Sequence, residues 1–360
     1  MTDRIKVSPN SDTKVGAGSS QLFRLFFTVS EFSWIWIATV ALFALSAIVA
    51  PGTVTSGSLL AMLPFAGILA ITATGQTIVI QQRGLDLSSA AIIGLAGIVF
   101  ALVGGETGSL LVAVVAAIFS GVVIGVINGV LVARVGITPL VATLSVSALV
   151  IGGIRWLTGY SPVYVPKEMQ GISRDHILGV PITLVFALVF VAATAVVVRA
   201  TIVGRRFIAV GANPRSAEAA GVPVLLYQVG SYVAAGVCFA VSGLLLAGFI
   251  GSASPTAGND YLLTSIAAVA VGGTPFTGGR GSVVASAVAA LFLAQLGQMV
   301  LALGAAPAVQ LLIQAAAILG AATIRHIPDA FRGLGVIRTS KVLGRYAHSK
   351  SRKIGDENGS

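Results

Sequence analysis

Charged residues are scarce in this chain of 360 residues: Asp, Glu, Lys and Arg together make up 9%. A soluble domain carries about 25%, so a water-facing globular surface is excluded, and a disordered chain with it. Cysteine is nearly absent. Cys238 stands alone, so no intrachain disulfide and no cysteine metal cluster can form. Histidine occurs as His176, His326 and His348, far apart in sequence. Neither H-E-x-x-H nor G-x-S-x-G is present, which removes metalloprotease and serine-hydrolase chemistry. The glycine-rich run Gly272–Ser282 lacks the G-K-[ST] ending of a phosphate loop, so no nucleotide site is encoded. No plausible nucleophile–base pair remains, and the expected catalytic, metal and cofactor complement of this chain is none.

What the chain has is apolar length. Hydrophobic residues reach 56% and the mean hydropathy is +0.97. Ten apolar segments are predicted, at 33–50, 59–81, 86–103, 109–133, 139–158, 180–199, 227–250, 262–272, 282–303 and 307–324. Most hold the roughly 20 residues that cross about 30 Å of hydrocarbon. The segment 262–272 is too short to cross as a helix alone and reads as a half-helix ending within protein. It is counted as a crossing. The 43 glycines agree with a helical membrane protein, where they allow close approach. The expected fold is therefore all-α and polytopic, with about ten transmembrane helices, one of them short or broken.

The formal net charge of +10 would point to nucleic acid in a soluble protein. Its placement gives a different reading. The tail carries Arg325, Arg332, Arg338, Lys341, Arg345, Lys350, Arg352 and Lys353 against Asp329, Asp356 and Glu357. The loop 199–226 carries Arg199, Arg205, Arg206 and Arg215 against Glu218. The positive-inside rule puts both in the cytoplasm, and ten crossings then put both termini there. The intervening loops alternate accordingly, with Arg83, Arg134 and Arg280 inside. The positive excess is read as orientation and attraction to anionic lipid; nucleic acid is not needed. The expected divisions are a cytoplasmic tail at 1–32, a transmembrane domain at 33–325 and a basic cytoplasmic tail at 326–360. A polar loop at 200–226 lies inside the second of these. The block at 33–50 is of spanning length and reads as an uncleaved first helix rather than a signal peptide.

Few ionisable groups fall near the hydrocarbon, where they tend to mark ion routes. Arg155 is placed at the outer interface. Arg83 and Asp86, three apart, can form a pair at a helical turn or line a broken helix on a solute route. One isolated carboxylate makes a poor proton relay, which disfavours a secondary transporter and leaves a neutral-substrate uniporter open.

The loop after segment six is the most informative stretch. In Asn213-Pro214-Arg215-Ser216-Ala217-Glu218-Ala219-Ala220-Gly221-Val222-Pro223, Asn213 is a good N-cap with proline at the first helical position. Gly221 is a stop signal. The predicted helix, Arg215 to Ala220, has small residues suited to docking in another protein's groove. A lipid-anchoring helix would want bulky apolar residues instead.

This loop resembles the coupling segment of ABC importer permeases, above all the branch that imports monosaccharides such as ribose. Three further stretches are similar to that branch: Arg83-Gly84-Leu85-Asp86-Leu87-Ser88-Ser89, Asn128–Leu144, and Gly251–Gly281. They fall in the family's order across most of 59–303. Two departures stand out. Gln82-Arg83 replaces a glycine-rich lead-in, and Gly221 follows Glu218-Ala219-Ala220 at once, a compressed form closer to the sugar branch. The resemblance implies ATPase coupling by Gly204, Arg205, Arg206, Gly211, Asn213, Ala217, Glu218, Ala219, Ala220 and Gly221. It also implies cytoplasmic ATP-binding subunits that hold ATP and magnesium, an extracytoplasmic solute-binding protein, and a second permease copy or paralogue. Import of a sugar-like solute across a bacterial inner membrane by alternating access is the function expected. The competing expectation is a gradient-driven carrier or channel without ATPase partners.

Uncharged polar residues offer donors and acceptors for sugar hydroxyls. Candidates for the translocation pathway are Gln76, Asp86, Ser88, Asn128, Thr143, Ser145, Asn259 and Gln295, with Thr77, Ser147, Gln298, Gln310 and Gln314 as further polar positions. Hydrogen bonding between helices is the alternative role of each. Asp260 and Tyr261, beside Asn259, stand where a delivered ligand would arrive. Gly121, Gly125 and Gly129 form a smooth helix face, either for packing within the subunit or for a seam between two copies.

Overall fold

The computed structural model describes residues 32–306 together with 308, 309, 311–313, 315 and 316. The predicted segment 307–324 falls largely outside the described residues, as do the tails. The long helices are α1 (Trp34–Val49), α2 (Ser56–Gln81), α3 (Ser89–Thr107), α4 (Leu110–Ala133) and α5 (Pro139–Thr158). They continue with α7 (Ile182–Ala200), α10 (Val224–Ile250), α11 (Asn259–Val271) and α12 (Val283–Ala302). Three short helices sit in loops: α6 (Lys167–Arg174), α8 (Ile202–Ala212) and α9 (Pro214–Ala219). Among the described residues seven helices are long and apolar enough to cross a membrane; α1, with 16 residues, and α11, with 13, are shorter.

Local chemistry sets the helix limits. Pro139 opens α5 at a position where its missing N–H costs nothing. Gly108, Gly159 and Gly251 close α3, α5 and α10 in the left-handed conformation, at φ of 64°, 57° and 85°. The helices α2 and α10 are buried along most of their length and form the centre, flanked by α3 and α12. Helices α4, α5 and α7 lie outside with mostly exposed apolar faces, as lipid contact requires.

The seam of α4 with α10 decides between the two roles open for the glycine stripe. A Cβ on Gly121 would strike the Gly236 carbonyl, and one on Gly236 the Gly121 carbonyl. One on Gly125 would lie 2.5 Å from Tyr232 O, and one on Gly129 2.9 Å from Val229 Cα. The stripe is therefore spent within the subunit, backbone against backbone.

Charge divides the bundle. Arg83, Arg134, Arg199, Arg205, Arg206, Arg215 and Arg280 stand at one end, with Glu218 and the buried Asp86. The opposite end holds Arg155, Lys167 and Arg174 with Glu106, Glu168, Asp175 and Asp260. There α6 folds over the end of α10: Arg174 Nε donates to Phe249 O at 2.8 Å and Nη2 to Ile250 O at 3.0 Å. A guanidinium satisfying a helix's last carbonyls is favourable in both charge and hydrogen bonding. Two-residue strands β1 (Val163–Tyr164) and β4 (Ser252–Ala253) pair antiparallel beside it, as do β2 (His176–Ile177) and β3 (Val180–Pro181).

The short segment does join the two ends, by helix and loop together. Helix α11 starts at the opposite end, and the loop after it brings Gly279 N to Gln81 O, at the basic end, at 2.8 Å.

Candidate functional site: a buried polar cluster beneath the α8–α9 corner

Helix α2 ends where its chain turns back into the bundle. Gly84 N donates to Val79 O and Arg83 N to Ile80 O, the two bonds of a Schellman cap. The left-handed residue of that cap is Arg83, at φ 64°, where glycine is usual. The chain then folds inward, so Asp86 O accepts from Gln76 Nε2 at 2.6 Å, more than a turn before the end of α2. Asp86 Oδ1 accepts from Ser88 N at 2.8 Å and Ser88 Oγ at 2.6 Å. Asn128 Nδ2 on α4 donates to Ser88 Oγ at 2.7 Å, and Leu87 N donates to Thr143 Oγ1 on α5 at 3.0 Å. Gln76, Asp86, Ser88, Asn128 and Thr143 thus meet in one buried cluster joining α2, α3, α4 and α5. Three acceptors in it, Gln76 Oε1, Asp86 Oδ2 and Asn128 Oδ1, have no donor.

The other candidates lie elsewhere. Ser145 is exposed on α5 and Asn259 is exposed at the start of α11. Gln295 is buried at the opposite end, its Nε2 3.3 Å from Thr53 Oγ1. Thr77 bonds Ser286 across α2 and α12 at 2.8 Å, and Ser147 is buried on α5. Gln310 and Gln314 lie outside the described residues.

Arg83 and Asp86 do not pair, which corrects the expectation from their spacing. The turn is not helical beyond Gln81, so the side chains diverge. Asp86 turns inward to Ser88, while Arg83 Nε donates to Gly211 O at 2.9 Å and Nη2 donates to Ala212 O.

Those carbonyls end α8, at its corner with α9. The loop holds two helices where one was expected. Asn213 caps α9 as its sequence foretold, with Ser216 N 3.2 Å from Asn213 Oδ1, and Gly221 follows at φ 77°. On α9, Ala217 is buried, whereas Arg215, Glu218 and Ala219 are exposed, as are Ala220 and Gly221 beyond it. Arg205 and Arg206 are exposed on α8. Gly204 and Gly211 are inward: a Cβ on the first would strike Val198 O, and on the second Gln81 O. Gln82 Nε2 also donates to Phe207 O of α8 at 2.7 Å. The corner is thus fixed to the end of α2 on one side and bare on the other.

At the opposite end, α2, α10, α11 and α12 enclose an open cavity of about 490 Å³. Met62, Phe65 and Leu293 give it apolar walls, and Asp260, Tyr261, Thr264 and Gln298 bring polar groups, with Gln298 Oε1 unpartnered. Apolar walls with a few polar groups, in this size range, are usual for small-molecule sites. Among the described residues no group of His, Cys, Asp and Glu could hold a metal.

The family described as branched-chain amino acid transport system / permease component matches residues 58–322. The chain belongs to this permease family. The permease is 33% identical over 291 residues to the ribose import permease protein RbsC of Escherichia coli K12, covering 79% of this chain and 90% of that one. The ribose import permease protein RbsC of Haemophilus influenzae is 28% identical over 263 residues, covering 72% and 81%. The autoinducer 2 import system permease protein LsrD of Salmonella paratyphi B is 32% identical over 239 residues, covering 64% and 71%. No solved structure matches the permease. The motif resemblance therefore pointed to the right family, and the permease is a multi-pass protein of the bacterial inner membrane.

Two features of the site escaped the sequence reading. Helix α6 falls between the predicted segments 139–158 and 180–199, and its buried face rests on Met169 and Ser173, four apart, too short a pattern to announce a helix. The reach of Arg83 to Gly211 had no local signal, because its partners are 128 and 129 residues away.

Proposed function

We propose that this permease is the membrane-spanning subunit of an ATP-driven importer, carrying a sugar-like solute into the cytoplasm by alternating access. The observation that carries the reading is the α8–α9 corner, bound to α2 on its inner side and bare on its outer side. Cytoplasmic ATP-binding subunits, which hold the ATP and magnesium, dock on Glu218, Ala219, Ala220 and Gly221, with Arg205 and Arg206 beside them. The arginines at that end support a cytoplasmic location for it under the positive-inside rule, and in this reading both termini lie on the same side. At the other end the cavity beside Asp260 and Tyr261 receives solute from an extracytoplasmic binding protein. Two permease copies, or a copy and a paralogue, flank the route.

Apart from Asp86, the cluster offers only amides and hydroxyls, which suits a neutral polyol. Buried acceptors without donors are costly, and solute hydroxyls would satisfy Gln76 and Asn128 as the helices tilt apart. ATP binding and solute delivery each favour one of two states, which is what alternation requires. The relatives that import ribose and autoinducer 2 support a small polyhydroxylated solute.

Reconstitution tests the reading. In proteoliposomes, uptake of ribose delivered by the binding protein should require both ATP and the ATP-binding subunit. Gly221→Trp should abolish it while the protein still inserts. Uptake by the permease alone, or normal uptake by Gly221→Trp, would sink the proposal in favour of a gradient-driven carrier.

A further inference from the structure

Resting on the importer reading above, we propose that Arg83 is a positioning residue: it is the strap through which displacement of the α8–α9 corner reaches the buried cluster around Asp86. Arg83 occupies the left-handed position of the α2 cap, at φ 64°, where an L side chain is disfavoured and glycine is at ease. A strained residue kept at such a place points to work done by its side chain. That side chain closes the end of α8, with Nε at 2.9 Å from Gly211 O and Nη2 bonded to Ala212 O. Asn213, the next residue, is the cap of α9, so the guanidinium grips the corner between the two helices. A planar fork with two donors in fixed relation transmits direction as well as attraction, which a flexible ammonium does not.

The other side of the strap is equally tied. Three to five residues beyond Arg83, Asp86 and Ser88 bond to α2 and α4, and Leu87 to α5. The loop also has room to shift. A cavity of about 220 Å³ opens beside Gln82, Arg83 and Gly84, bounded by α4, α5 and α10. The neighbouring corner contacts have none: a Cβ at Gly278 would strike Arg83 Cγ, and one at Gly279 would lie 2.5 Å from Ala212 Cα. Motion of the corner therefore moves the loop, and the loop moves four helices.

The test compares Arg83→Gly, Arg83→Lys and Arg155→Ala with the unaltered permease, each assembled with its ATP-binding subunit and binding protein in liposomes. Glycine suits the cap, so Arg83→Gly keeps the turn and removes only the strap. Expected is a fall of about tenfold in ribose taken up per ATP hydrolysed, a coupling change of ordinary size, while the ATP-binding subunit still co-purifies. Arg83→Lys should fall between Arg83→Gly and the unaltered protein. Arg155→Ala, which removes the same charge at the opposite end, should keep the ratio. An unchanged ratio in Arg83→Gly, or uptake and hydrolysis falling in proportion, would overturn the strap. Should Arg83→Gly not assemble, an Arg83→Lys ratio equal to the unaltered one overturns it equally. Uptake by the unaltered protein without ATP would instead overturn the importer reading, and the strap's role with it.

Discussion

The crossing of α4 and α10 allows a prediction from one methyl group. In Gly125→Ala the new Cβ would lie 2.5 Å from Tyr232 O and 2.8 Å from Val233 Cα, and real Cβ contacts below 3.0 Å essentially never occur. Both obstacles are backbone, so no side chain can swing aside. The helices must part by about half an ångström or more, against close-packed neighbours. Overpacking of this kind costs about 1–3 kcal/mol, and the immovable partners favour the upper end. Replacing glycine by alanine inside a helix returns up to about 1 kcal/mol, leaving a net loss near 2 kcal/mol. Gly230→Ala on α10 is the matched control, because its Cβ meets nothing within 4 Å; it keeps the helix gain and has no clash. Cys238, the single cysteine, is buried on α10 and reports unfolding to a thiol-reactive dye. In detergent, Gly125→Ala should melt about 5 °C below the unaltered protein, using roughly 2–4 °C per kcal/mol. Gly230→Ala should melt at or slightly above it. Equal melting of the two variants would refute the seam.

Three other outcomes follow from single contacts. Thr143→Val leaves the half-buried Leu87 N–H without its acceptor, a loss of about 1 kcal/mol; melting should fall by a few degrees and recover in Thr143→Ser. Asn213→Ala removes the cap of α9 at a cost of about 1 kcal/mol. Its effect should appear as weaker retention of the ATP-binding subunit in pull-down rather than as a lower melting temperature. Arg174→Ala frees the carbonyls of Phe249 and Ile250, and limited proteolysis should then cut within 159–179 sooner while α8 and α9 stay as resistant as before.

Periodicity and caps made much of this molecule legible. Nine predicted segments correspond to helices α1–α5, α7 and α10–α12, most ends falling within a few residues of those read from the sequence. The cap at Asn213 and the stop at Gly221 were equally readable, because a cap is chemistry between residues three or four apart. Among the described residues seven helices meet the length and polarity of a crossing; the tenth segment lies largely outside them. Reading failed where the partner was remote. The spacing of Arg83 and Asp86 fits an ion pair on a helix, but the helix ends at Gln81, before either residue.

Apolar length, the scarcity of carboxylates and the placing of arginines are properties of the chain itself, and they determined a helical membrane protein. The motif order fixed the family for the same reason, since residues near in sequence keep their spacing in any conformation. Which helices sit at the centre, which partner the glycine stripe meets and where Arg83 reaches were decided only by the tertiary structure. In each, the deciding contact joins backbones or side chains separated by roughly a hundred residues or more. No local propensity selects among the surfaces that could meet at that range; only the packing of the whole bundle does.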